Sequence, residues 1–270
     1  RPVLGTPSTQ EALTAIGNGK VLAMVCDSTN VFNLETSGSE GSVKDDLLKS
    51  VKAAKGRVVV TTFASNAARL QTLGEVARES GRTLCFAGRS LHRIIEAAQA
   101  NGYLKDMPKT IGIEGVDSLP RRDVIIVATG GQGEARAALA RIAEGNHPVK
   151  LEAGDTVIFS SKQIPGNEIA IGIIMNKLAE RNILTVTEKQ AHVHVSGHPG
   201  QPELAALYDW IRPEILVPVH GERRHMAEQS RFARAHGVPK SVVQSNGDVV
   251  RLAPGEPKII GKERTGRLIL

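Results

Sequence analysis

The chain has 270 residues, 34 Lys and Arg against 28 Asp and Glu, a net charge of +6, and only 3% aromatic residues. That length can bury a large core and hold more than one domain. With so few aromatics, the core must rest on Val, Ile, Leu and Ala, which suits α/β layers with buried strands. The positive balance favours an acidic partner, nucleic acid first. No apolar run approaches the roughly 18 residues that a membrane-crossing helix needs, and no secretory signal is recognisable, so the cytoplasm is the expected location. The two cysteines, Cys26 and Cys85, lie in apolar runs and read as small buried hydrophobes, not as a disulfide framework.

In chain order, apolar strand patterns alternate with amphipathic helix patterns. Strands are predicted at 21–26, 57–63, 83–87, 124–128, 156–160 and 183–187. Helices are predicted between them at 42–54, 66–79, 91–99, 135–143 and 168–181. The alternation predicts a parallel sheet covered on both faces. A further helix (203–210), a buried strand (215–219), a helix (223–236) and short strands (242–244, 248–252) follow, and this β-rich ending marks a second unit. Residues 261–270 read as a linker.

Of the eight histidines, the informative ones sit in two strings. In Ala191-His192-Val193-His194-Val195-Ser196-Gly197-His198 the even positions are polar and Val193 and Val195 apolar, the period-2 pattern of a strand. Gly197 lets backbone approach a ligand closely. In Val217-Pro218-Val219-His220-Gly221-Glu222 a buried strand delivers His220 at its carboxyl end, where α/β proteins collect active-site residues. Three turns also follow strands and open helices: Ser65-Asn66, Gly88-Arg89-Ser90 and the run from Gly130 to Glu134. Helix N-termini favour anions, so the three turns, with Arg69 and Arg89 nearby, suggest a track for a phosphate backbone. Plainer readings stand beside these: surface histidines, and an Asx turn at Asp27 followed by Ser28 and Thr29. Glu222 reads equally well as a helix-start acid or as a group orienting the site.

The strings HVSGH and PVHGE, with His198 and His220 separated by 22 positions (220 − 198), resemble the ribonuclease J family of β-CASP nucleases in the metallo-β-lactamase superfamily. Other stretches carry the same resemblance in family order: Cys26-Asp27-Ser28-Thr29-Asn30, Thr62-Phe63-Ala64-Ser65-Asn66 with Arg69, Gly88-Arg89-Ser90, Thr129-Gly130-Gly131-Gln132-Gly133-Glu134, and Ser160-Ser161-Lys162-Gln163-Ile164-Pro165-Gly166-Asn167-Glu168. Gly131 stands where the family pattern has serine, and Ala135 where it has proline. The superfamily's HxHxDH metal motif is absent from the sequence, so the chain is expected to be an excised piece, inactive alone, lacking that half and the small C-terminal domain.

The resemblance implies an α/β fold: a parallel-sheet β-CASP domain with helices on both faces, inserted into part of a metallo-β-lactamase αββα fold. The expected boundaries are 33–189 for the β-CASP domain, with 1–32 and 190–270 as metallo-β-lactamase parts. It implies a zinc-dependent ribonuclease, acting from RNA 5′ ends and internally, with two zinc ions in the full-length enzyme. His220 is then the expected metal ligand, and Asp27 and His198 a catalytic dyad with Asp27 behind the metal ligands. His194, Val195, Ser196, Gly197 and His198 form an expected phosphate cradle, and Ser65, Arg69, Arg89 and Ser90 contact RNA. A homo-oligomer, dimer or tetramer, is expected, with exposed apolar surface in the excised piece. A DNA-processing β-CASP nuclease and a non-catalytic RNA-binding module are the alternatives.

Overall fold

The computed structural model describes residues 2–164 and 166–266. Pro165 and residues 267–270 of the expected linker lie outside the described residues. The chain opens with α1 (Gln10–Asn18), β1 (Ala23–Asp27), α2 (Lys44–Ala53), β2 (Val58–Thr61), α3 (Ala67–Ser80), β3 (Thr83–Ala87) and α4 (Arg89–Ala100). It continues through β4 (Thr110–Ile111), β5 (Val124–Ala128), α5 (Ala138–Ala143), β6 (Thr156–Phe159), α6 (Glu168–Glu180) and β7 (Leu184–Val186). Last come α7 (Gln201–Ile211), β8 (Ile215–Val219), α8 (Arg223–Ala235), β9 (Lys240–Ser241), β10 (Asp248–Arg251) and β11 (Lys258–Lys262). Two compact units result: one is built on Gly38–Val195 with the stretch up to Thr6, the other on Pro7–Ser37 with the chain from Ser196 onward.

The first unit holds an all-parallel six-stranded sheet in the order β4-β3-β5-β2-β6-β7. Strand side chains alternate between two cores. Val59, Cys85, Ile126 and Val157 pack with Leu139 and Ile142 of α5 and Ile171, Ile174 and Leu178 of α6. Val58, Val60, Leu84, Phe86, Ile125 and Ile158 pack instead with Leu47 and Val51 of α2, Leu70 and Leu73 of α3, and Leu91 of α4. Both faces are therefore covered, as the unbroken apolar runs of these strands require. Because the strands are parallel, the turns after β2, β3, β5 and β6 emerge at one edge. Asn66 starts α3 by accepting from Arg69 N, and Gly81 ends it in the left-handed region, at φ 70°.

The second unit holds a three-stranded parallel sheet, β1-β8-β9, and the antiparallel pair β10-β11. Met24, Cys26 and Leu216 face Leu204 and Tyr208 of α7 and Ala233 of α8. Ile215 and Val217 face the other way, onto Val242, Val250 and Leu252. Val25, at the middle of β1, is 66% exposed, and Leu34 and Phe32 are exposed as well.

Several elements differ from the sequence reading. Residues 191–197 form no strand, although the apolar alternation is real, with Val193 and Val195 buried. The Val193 carbonyl accepts from Arg69 Nη1 and Ser160 Oγ, so side chains take the place of a neighbouring strand. α5 starts at Ala138, not 135, because residues from Gly130 to Ala137 form turns held by Gly133 N→Gly130 O and Ala137 N→Glu134 O bonds. β11 includes Gly261 and Lys262, so the linker reading fails there; exposed Lys258 to Lys262 pair along one edge of β10 without burying a face. The predicted strand at 242–244 is replaced by Lys240 and Ser241, which pair with Ile215 and Leu216.

Candidate functional site

In the second unit, β1 and β8 run parallel with Asp27 opposite Val219, so the residues that follow each strand emerge side by side. Ser28 fastens that edge, its N–H and its hydroxyl both donating to the Val219 carbonyl. Gln229 of α8, fully buried, donates from Nε2 to the Asp27 carbonyl at 2.8 Å. His220 then turns sharply, with φ +58°, a conformation uncommon for a residue with a side chain and concentrated at functional sites. Gly221 is needed directly after it, since a Cβ there would lie 2.5 Å from Ser28 Oγ and 2.9 Å from His225 Cβ.

This framework gathers three ligand-capable groups. Asp27 Oδ2 lies 2.8 Å from His198 Nδ1 and 3.2 Å from His220 Nδ1, and the two imidazoles stack with centroids 5.2 Å apart. Asp27 Oδ1 accepts from Thr29 N at 2.8 Å, so the Asx turn and the contact with the histidines coexist, one on each carboxylate oxygen. Thr29 Oγ1 lies 2.8 Å from His220 Nδ1 and also donates to the His220 carbonyl. With Nδ1 of each ring turned to Asp27, Nε2 of each is left available to a ligand or a proton acceptor. The ligand atoms of Asp27, His198 and His220 all lie within 4.8 Å of one another, a spacing that can hold a metal ion. The sequence reading had His220 as the lone ligand; here the Asp27 carboxylate reaches both rings, that of His198 more closely. Thr29 and Gln229 were missed as positioning residues, and Asp27-Ser28-Thr29 after a strand was the available signal only for the first. Glu222 stands at the start of α8, its N–H donating to His225 Nδ1 and its carboxylate bound to Arg224.

The expected cradle divides between the units. Ser196 Oγ accepts from His198 N at 3.1 Å, so its hydroxyl shapes the turn that presents His198. Gly197 is exposed, and a Cβ there would meet nothing within 4 Å. His194 and Val195 belong to the first unit, where Val195 is core. Burial, with the positive charge of Arg69 second, pushes the His194 imidazole down to about 4, so it is neutral at pH 7. His194 can therefore contribute a hydrogen bond but no charge.

At the strand edge of the first unit, Ser65 and Ser90 line a cavity of about 340 Å³ together with Thr62, Thr129, Gly131 and Ser161. Gly131 fits closely there: a Cβ would lie 2.5 Å from Ser161 Oγ, which donates to the Gly131 carbonyl. Arg89 is exposed nearby, but Arg69 is not available to RNA. Its side chain is fully buried, paired with Glu40 at 2.9 Å and donating to Ser160 and Val193. From sequence alone, an arginine three residues into a helix after a polar turn looks external; burial of that face of α3 reverses the inference.

Comparison with known proteins identifies the family. Residues 55–178 match the family described as "Ribonuclease J, beta-CASP domain", and residues 185–243 match "Zn-dependent metallo-hydrolase RNA specificity domain". Ribonuclease J of Sinorhizobium meliloti is 41% identical over 99% of this chain, and that of Mycolicibacterium smegmatis 37% over 100%. Ribonuclease J2 of Bacillus subtilis is 33% identical over 96%. The chain belongs to the ribonuclease J family. It spans about half the length of these relatives, 48%, 49% and 47% respectively. A crystal structure from Enterococcus faecalis V583, titled as a protein of unknown function, covers 93% of this chain with a TM-score of 0.56 at 13% identity; 55% of that structure is matched, and the likeness concerns the fold alone. The description of the second matched family names a Zn-dependent metallo-hydrolase and RNA specificity, which supports a metal cofactor. No helix among the described residues is long and apolar enough to cross a membrane.

Proposed function

We propose that this chain forms the β-CASP and RNA-specificity part of a zinc-dependent ribonuclease that hydrolyses RNA phosphodiesters from a 5′-monophosphate end and internally. Its setting would be messenger RNA decay and ribosomal RNA maturation in the cytoplasm, by a homo-oligomeric enzyme. The observation that carries the reading is the Asp27 carboxylate set 2.8 Å from His198 and 3.2 Å from His220. Imidazole nitrogen and carboxylate oxygen are the donors zinc takes in hydrolytic sites, so the residues present fit the ion; His220 and Asp27 would hold it. Bound zinc supplies an activated water and stabilises charge on the phosphate.

The chain's own residues supply the rest. Asp27 holds the Nδ1–H of His198, fixes its tautomer and aims Nε2 outward. When the ring carries a second proton, on Nε2, that proton can pass to the leaving oxygen, and the neutral ring, its Nδ1–H still held by Asp27, remains. The Ser196-Gly197 turn sets the height of His198 and leaves an open face for a phosphate. Ser65, Ser90 and Arg89 would hold the RNA backbone through hydroxyls, a helix N-terminus and charge.

In the intact gene product, His198→Ala should lower turnover of a 5′-phosphorylated RNA by about 10²-fold or more, and Asp27→Asn should act in the same direction. Groups that act as a unit are non-additive. The double variant should therefore be scarcely worse than the poorer single one. Effects that multiply would refute the dyad.

A further inference from the structure

A second concavity in the six-stranded-sheet unit, of about 980 Å³, opens between the start of α4, the turn after β5, α5 and the segment around His147. Arg89, Arg93, Arg136 and Arg141 all line it, and all four are exposed. The arginines of the described residues that make ion pairs are others: Arg57, Arg69, Arg121, Arg122, Arg224 and Arg231. Four guanidinium groups thus converge on one hollow without a carboxylate partner. The single acid in its wall, Glu134, is tied into its own turn by accepting from Gln132 N at 3.0 Å. Like charges around a concave, low-dielectric wall focus the potential and raise the local concentration of anions.

The floor of the hollow also looks built for an acceptor-rich ligand. His147 lines it while only 6% exposed, and its Nδ1 accepts from Val149 N at 3.1 Å. That bond puts the ring proton on Nε2, a donor. Burial, then the charges of Arg141 and Lys150, lower its proton affinity and keep it a neutral donor. The first turn of α4 opens on the same space, capped by Gly88 with no side chain to satisfy its N–H groups. A cavity of about 1,000 Å³ has room for a whole nucleotide, and planar guanidinium forks match phosphate oxygens two at a time. A lone carboxylate or single phosphate would engage one fork or two; four arginines spread round the wall call for several anionic groups in a row.

We infer that this hollow binds a chain of directly linked phosphates, such as a free nucleoside polyphosphate carries. It shares Arg89 and Ser90 with the RNA contacts proposed above and extends that reading; Arg93, Arg136, Arg141 and His147 belong to the hollow alone. The test is isothermal titration of the 270-residue chain with inorganic tripolyphosphate in the presence of a chelator, so that the metal-dependent reading can fail without affecting the result. Wild type should bind saturably and more tightly than about 1 mM, with affinity falling as salt rises. Arg93→Ala with Arg141→Ala, both exposed, should weaken binding at least tenfold with an unchanged melting curve; Arg93→Lys with Arg141→Lys should restore part of it. Adenosine triphosphate should displace tripolyphosphate from the site, and a 5′-phosphorylated RNA decamer at equal phosphate concentration should not. No saturable binding, a double alanine variant that binds like wild type, failure of adenosine triphosphate to compete, or displacement by the RNA instead would overturn the inference.

Discussion

The two sheets of this chain are covered differently. In the six-stranded sheet each central strand sends alternate side chains into two closed cores, so Ile126 and Val59 are fully buried on one face and Ile125 and Val58 on the other. In the three-stranded sheet the helices α7 and α8 close one face, while Val25 of β1 stays 66% exposed on the other. Both sheets nevertheless place most of their candidate groups in the same way, on turns at the carboxyl ends of parallel strands, as with Asp27 and His220 after β1 and β8. Position along a strand, more than completeness of cover, decides where these candidate groups stand. What cover decides is how much stability each sheet can lose.

The largest contrast should therefore appear in packing. Ile126→Ala should cost about 2–5 kcal/mol, as truncations in closed cores do, and Val25→Thr should stay within about 0.5 kcal/mol. Urea denaturation of both variants measures this, and equal losses would erase the distinction between the sheets. A second contrast lies between two arginines of the first unit. Arg69→Ala strips the buried partner from Glu40 and from the Val193 and Ser160 carbonyls, and should destabilise by about 3 kcal/mol or more. Arg89→Ala should leave stability within about 0.5 kcal/mol and instead weaken RNA binding across sequences, which a filter-binding salt series would register.

The smallest expected effect is a pH dependence. His194 is held neutral in the folded chain down to about pH 4, whereas in an unfolded chain histidine takes up its proton near pH 6.5. Between those values the unfolded state binds more protons, so stability should fall as pH drops from about 6.5 toward 4. His194→Gln should flatten that slope in thermal melts across the window. An unchanged slope would mean that other groups set it.

The parallel sheet of the first unit was legible because its strands are unbroken apolar runs between amphipathic helices. His198 and His220 were flagged by a polar string and a strand end, whereas Asp27 joined them only through the family resemblance, its turn reading otherwise as an Asx cap. The irregular course of 191–197 was not, since an extended chain shows the same alternation whether its carbonyls meet a strand or the Arg69 and Ser160 side chains. β11 was hidden because Lys-Ile-Ile-Gly-Lys buries no face and has no alternation to read. Arg93, Arg136, Arg141 and His147 were overlooked because their convergence depends on α4, α5 and the 146–148 segment meeting in space, although Arg89 and Arg93 share a helix face at i, i+4 spacing.

The central claim, that Asp27, His198 and His220 form one metal-and-proton site, is tested most directly by measuring bound zinc and RNA cleavage together in the intact gene product for His220→Ala and His198→Ala. The account predicts that His220→Ala loses zinc and cleavage alike, while His198→Ala keeps most of its zinc and loses about 10²-fold or more in cleavage. A His220→Ala protein that retains wild-type zinc and still cuts RNA would contradict it.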